Sequence, residues 1–164
     1  MSFTTPPHRL ISHLKNTSRA ALARTSVPYS NAAVGVTSAL LRHGLISNIA
    51  KGTPTHPAPA EFAALPKPAQ RLWVGLKTRN GLPVMRHLDL VSKSSLRATV
   101  DKDELGRLLM GKRARNIAGA GTAEIFVIKV ASDSSIGRTG ADVYMEGWEA
   151  YRAGLGGEVI CRAS

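Results

Sequence analysis

Apolar positions recur with helical spacing from the start of the chain. Leu10, Ile11, Leu14, Ala21 and Leu22 fall within about 120° of one another on a wheel stepped by about 100° per residue. This predicts an amphipathic helix over 8–22, entered through Pro6 and Pro7. Ser12, Lys15, Asn16 and Arg19 follow i, i+3, i+4, i+7 on the opposite face. Thr25 to Val27 suit a short strand that Pro28 ends. Ser30 or Asn31 is the expected N-cap of a second helix carrying Ala33, Val36, Leu40 and Leu41, with His43 in its last turn and Gly44 just past its end. Leu45 to Ile49 reads as a strand. Then the periodicity stops. Five prolines between Gly52 and Pro68, among Ala and Thr, predict an extended surface insertion over about 52–70. Strand-like pattern resumes at Leu72 to Leu76, and Asn80-Gly81 predicts a hairpin with Val84 to Val91 as its return strand.

The remainder reads as a second small lobe. Leu96 to Val100 suit a strand, and Asp101 with Glu104 forms an approximate capping box for a helix through Leu105, Leu108 and Leu109, stopped at Gly111. A basic cluster, Lys112-Arg113-Ala114-Arg115, precedes a loop and a buried strand from Ile125 to Val130. A Ser/Gly-rich stretch follows over 132–140, then a helix from Met145 to Ala153 closed by Gly154, then a terminal strand from Glu158 to Arg162. Strands and short helices interleave throughout. The expected class is α/β plus α+β: two small lobes, each with short strands and one or two helices, and no large parallel sheet. The expected division is an N-terminal α/β lobe over 1–91 and a C-terminal α+β lobe over 92–164.

Charge sharpens the picture. The 164 residues carry 22 Lys and Arg against 11 Asp and Glu, a formal +11 that favours a polyanionic partner. No carboxylate precedes Glu61, whereas six basic residues do. An opening rich in Ser, Thr and Arg and free of acids fits a mitochondrial targeting segment or an RNA-facing lobe, and the two readings are compatible. No apolar run approaches the eighteen or so residues that would span a bilayer. Of the two polyanions, a nucleic acid or an anionic membrane surface, the expected partner is the nucleic acid and no membrane. The single cysteine, Cys161, excludes an intramolecular disulfide and reads as a buried small hydrophobe.

Catalytic chemistry is poorly represented. Gly119-Ala120-Gly121 precedes a strand instead of following one and lacks a third glycine, so the dinucleotide fingerprint fails. The five histidines show neither i, i+4 pairing nor carboxylates at metal spacing, and His87 with Asp89 suits a solvated strand face. No nucleophile stands with a base and an orienter. Neither catalytic residue, cofactor, metal nor small-molecule substrate is expected. The helix-one stripe is more telling. Lys15 and Arg19 suit phosphates, Ser12 and Asn16 suit ribose hydroxyls and base edges, and an ordinary solvated face would mix in acids. Ser132, Ser134, Ser135 and Gly137 suit either close approach to RNA or a plain turn.

The segment from Ala153 to Cys161, with Gly154, Gly156-Gly157-Glu158 and Val159-Ile160, closely resembles the C-terminal signature of the bacterial-type small ribosomal subunit protein eight family. The beginning agrees. Lys15-Asn16 stands at the family's Arg-Asn pair, Pro28 and Ser30 match its Pro-Ser-Ser-Lys with Tyr29 and Asn31 substituting, and Gly44 matches the glycine ending helix two. Val91-Ser92-Lys93, Leu96-Arg97 and Lys102 to Leu105 resemble the run entering the family's second domain. The resemblance covers about four-fifths of the chain, with gaps at the Pro-rich segment and in the later loops. It implies a structural protein that binds the central domain of small-subunit rRNA beside neighbouring ribosomal proteins. By position it implies RNA contact through Ser12, Lys15, Asn16, Ser30 and Asn31 in the first lobe, to which the helix-one stripe adds Arg19. In the second lobe it implies Gly156 and Gly157, with Glu158 supporting an RNA-binding loop.

The family's Ser-Thr-Ser-Lys-Gly loop is not reproduced: counts from either side give Thr139 to Asp142 or Lys129 to Asp133, and Ser132 to Ser135 is the preferred counterpart. These departures, the insertion and the acid-free start imply an organellar member, in a mitochondrial and fungal-type ribosome of the matrix. Two alternatives stay open: a small phosphate-ligand enzyme built on Gly119 to Gly121 and Gly154 to Gly157, and a free-standing RNA-binding regulator.

Overall fold

A computed structural model describes residues 6–132 and 140–164. The chain divides into two compact units, one ending at His87 and the other beginning at Leu88.

In the first unit, α1 (Pro7–Arg19), β1 (Arg24–Pro28), α2 (Asn31–Arg42), β2 (Ile46–Gly52) and β3 (Arg71–Leu76) follow in order. The sheet runs β1-β3-β2, with both outer strands antiparallel to the central one. β1 and β2 therefore share a direction and are linked by α2, a split β-α-β arrangement. Helices cover one face, burying Leu10, Ile11 and Leu14 of α1 and Val36 and Leu40 of α2 beside Val27, Leu72 and Val74. Each such side chain contributes about 1.5–3 kcal/mol on full burial. Ser30 caps α2 by accepting from the Ala33 N–H at 3.1 Å. The Asn80-Gly81 turn joins β4 (Thr78–Arg79) to β5 (Leu82–Pro83), with both turn residues at positive φ as a type I′ turn requires.

The two first-lobe helices end alike. The Leu45 N–H donates to the Leu40 carbonyl and the Gly44 N–H to that of Leu41, a Schellman motif with Gly44 at φ +72°. At the end of α1 the Leu22 N–H donates to Thr17 and that of Ala21 to Ser18, but the left-handed residue is Ala21, at φ +52°. The helix thus stops at Arg19 and not at residue 22. Ala21 and Leu22, expected on the buried face, are exposed.

The Pro-rich insertion is more structured than its composition suggested. It contains α3 (Pro59–Phe62) and a 3₁₀ turn (Lys67–Ala69). Phe62 meets Tyr29 edge to face at 4.9 Å, with the Lys51 ammonium 5.3 Å from the Phe62 ring.

The second unit contains β6 (Leu88–Leu90), β7 (Thr99–Val100), α4 (Lys102–Leu109), β8 (Ile125–Val130), β9 (Val143–Glu146), α5 (Gly147–Arg152) and β10 (Gly157–Ala163). All pairs are antiparallel in the order β6-β10-β8-β9, with β7 beside the start of β10. α4 and α5 pack Leu105, Leu108 and Ala150 against Phe126, Ile128 and Val159. The Asp101/Glu104 capping box is formed. Three expectations change. Leu88 to Leu90 pairs with β10, so it is not the return strand of the Asn80-Gly81 hairpin. Only Thr99 and Val100 of the stretch 96–100 form strand. Val143 to Glu146 is a strand, because a second capping box, Glu146 with Glu149, starts the helix at Gly147 and not at Met145.

Candidate RNA-binding surfaces

On α1, Ser12, Asn16 and Arg19 are exposed and Lys15 is half-buried. At about 100° per residue, Arg9 and His13 extend this arc beyond Asn16, so the polar face spans about 160° without a carboxylate. The arc runs into a groove of about 270 Å³ lined by Arg9, His13, Ser26, Pro28, Ser30 and Arg71, with Leu10, Val27 and Ala33 as its floor. His13 Nε2 lies 2.6 Å from the Thr25 hydroxyl, tying helix to strand. Ser30 is buried and its side chain is engaged in capping, whereas Asn31 is exposed in the first turn of α2. Arg9, His13 and Arg71 escaped the sequence reading. The first two had a signal in their wheel positions; Arg71 had none, since only strand pairing brings it there.

The Gly-Gly-Glu segment lines a wider cavity of about 590 Å³ in the second unit, with Arg97, Lys102 and Lys129 around it. Gly156 and Gly157 are needed for close approach. A Cβ on Gly156 would overlap the Val100 carbonyl oxygen, and one on Gly157 that of Lys129. Glu158 accepts from the Ser92 hydroxyl and pairs with Arg97 at 3.5 Å. By register Glu158 lies opposite Lys129, and Lys129 opposite Tyr144, a polar row across the sheet. Lys129 binds Asp142 at 3.0 Å, a hydrogen bond that raises the lysine pKa and lowers that of the carboxyl. Burial raises the Tyr144 phenol. Ser132 is exposed, and its N–H donates to Asp142 Oδ1 at 3.2 Å. Ser134 and Ser135 lie outside the described residues. The partners of Glu158 thus come from the β6–β7 connection, 66 residues away in the case of Ser92, a link that no spacing in the sequence revealed.

In the loop before β8, the Gly121 N–H donates to Glu124 Oε2 at 2.7 Å, so a carboxylate occupies the amide that a phosphate would need. Glu124 in turn receives both Nε and Nη2 of Arg162 at 2.5 Å, which lowers its pKa. Cys161 is buried in β10, and burial pushes its thiol up to about 12. Among the described residues no group of three or more His, Cys, Asp or Glu is placed to hold a metal, and no helix is long and apolar enough to cross a membrane.

Charge separates the units. Through His87 the chain has eleven Lys and Arg and one carboxylate, Glu61; from Leu88 it has eleven and ten. A small α+β protein whose first unit is so basic, with an acid-free helical face, has the electrostatic footprint of the nucleic-acid-binding class. No protein-family model matches the chain. It is 33% identical over 161 residues to the small ribosomal subunit protein uS8m of Neurospora crassa, covering 93% of this chain and 94% of that protein. It is 30% identical over 157 residues to uS8m of Schizosaccharomyces pombe, covering 94% of this chain and 97% of that one. The chain belongs to the uS8m family of mitochondrial small ribosomal subunit proteins. That places it in the mitochondrial ribosome of the matrix, in a structural role.

Proposed function

We propose that the chain binds and stabilises the central domain of the small-subunit rRNA during assembly and translation, alongside neighbouring small-subunit proteins. The observation that carries this reading is the acid-free polar arc of α1 continuing into the groove beside β1. Lys15, Arg19 and Arg9 meet phosphates, each neutralised phosphate releasing counterion, while Ser12, Asn16 and Asn31 reach sugars and base edges. Ser30 acts there mainly by fixing the first turn of α2. In the second unit, Gly156, Gly157 and Glu158 line the cavity together with Ala131, and Ser132, Ser134 and Ser135 are the residues we assign to RNA contact in the segment that follows. Lys102 adds positive charge beside the cavity, while Arg97 and Lys129 are paired with Glu158 and Asp142.

The test is binding of a central-domain rRNA fragment, together with co-sedimentation with mitochondrial small subunits. Lys15→Ala with Asn16→Ala is expected to weaken fragment binding about tenfold and to leave the melting temperature unchanged. Unchanged affinity at physiological salt contradicts the α1 assignment.

A further inference from the structure

The open face of the first sheet carries a feature that the α1 surface does not use. Trp73 is half-buried at its centre. By register, Ser26 and Ala50 lie opposite it on the flanking strands, and Gly75 stands two residues along β3, so small side chains ring the indole. Its Nε1 donates to the Thr53 carbonyl at 2.9 Å, in the turn that opens the Pro-rich insertion. The Arg24 guanidinium lies over the ring, 5.7 Å from its centroid. Arg24 and Asn48 are exposed, and Arg71 alternates onto the same face. None of the described residues on this face is a carboxylate.

An indole fixed at its edge and topped by a guanidinium is a preorganised stacking site. Aromatic and guanidinium planes hold unstacked bases, and cations beside them hold the flanking phosphates. An acidic protein segment would satisfy the charge but would leave the flat ring without a matching partner. We propose that this face is a second RNA site, taking an unpaired rRNA nucleotide by stacking on the Arg24–Trp73 pair. Arg71 meets an adjacent phosphate, and Asn48 lies within the face to hydrogen-bond sugar or base. The inference rests on the reading of the chain as an rRNA-binding protein; its Arg24–Trp73 pair lies outside the lining of the α1 groove, with which the face shares Arg71 and Ser26. The Pro-rich insertion then contributes to binding as well, because its first turn holds the indole in plane.

The test uses the full chain and octaadenylate as probe. With Trp148→Phe present, Trp73 alone reports, and saturable quenching of its fluorescence is expected. In anisotropy titrations Trp73→Leu is expected to weaken octaadenylate binding about tenfold. Arg24→Gln, which keeps the Trp73–Thr53 hydrogen bond, should weaken it about threefold. Lys15→Ala with Asn16→Ala should leave the Trp73 quenching in place. Unquenched Trp73, unchanged affinity in both variants, or a protein segment crosslinked at Trp73 in assembled subunits overturns the proposal. Such a failure beside normal, Lys15- and Asn16-dependent binding of the central-domain fragment removes only this site. Loss of both responses removes the underlying reading.

Discussion

The two units use their cations differently. In the second, Arg97 pairs with Glu158, Arg115 with Glu104, Lys129 with Asp142 and Arg162 with Glu124. Those charges bind the fold to itself: Arg162 also donates to the Ala118 and Gly119 carbonyls, fastening the last strand to the loop before β8. In the first unit eleven cations share a single carboxylate, Glu61, which lies in the insertion. Where contacts are seen, they are with rings and carbonyls, which leave the positive charge unneutralised: Arg24 over Trp73, Lys51 over Tyr29 and Phe62, and Lys77 on the Gly44 carbonyl. The comparison teaches that net charge alone mislocates function, since both units hold equal numbers of Lys and Arg and differ in acids. Variants in the second unit should register first as lost stability, and variants in the first as lost RNA affinity.

The largest effect is expected from Gly157→Val, whose side chain would be driven into the Lys129 carbonyl. It should cost about 3 kcal/mol, read as a lower denaturant midpoint. An unshifted midpoint would show that β10 and β8 are not held as closely as described. Glu124→Gln breaks the bidentate pair with Arg162 and should cost about 2 kcal/mol. The same pair sets a pH dependence. Because the folded Glu124 pKa lies below its ordinary value of 4.5, its contribution is complete above that value. It is lost as pH falls through the lowered folded pKa, and Glu124→Gln should flatten this acid limb. Arg9→Ala belongs to the other unit. It should weaken binding of the central-domain fragment about threefold and reduce the salt slope by about 1, with an unchanged melting temperature. A melting shift without an affinity change would place Arg9 among the structural cations instead. The smallest effect is expected from Ala21→Gly, which relieves a left-handed alanine and, less the added chain entropy of glycine, should raise stability by about 0.5 kcal/mol without altering RNA affinity.

Much of this architecture was legible from local chemistry. Gly44, Gly111 and Gly154 mark helix ends, and each occupies the left-handed position. Asp101 with Glu104 marks a helix start. These signals work because capping is settled within a few residues. What failed was non-local or atypical. Ala21 does a glycine's work, so the end of α1 carried no mark. A run such as Val84 to Val91 shows extended pattern but not its partner, and Leu88 to Leu90 pairs with a strand more than seventy residues later. The α1 face was readable because one helix holds it in order. The Glu158–Ser92–Arg97 cluster and the Arg24–Trp73 stack were not, since strand pairing alone assembles them. The insertion read as extended by composition, yet Tyr29, Lys51 and Phe62 anchor it through contacts that proline content cannot reveal.

The central claim is that the α1 face lies against the central domain of the small-subunit rRNA. Ser12 is exposed on that face, and the buried Cys161 thiol, raised to about 12, leaves an introduced cysteine as the reactive one. An iron chelate tethered to Ser12→Cys in assembled mitochondrial small subunits would cut nearby RNA by hydroxyl radicals. Cleavage within the central domain is the expected result; no rRNA cleavage, or cleavage wholly outside that domain, would contradict it.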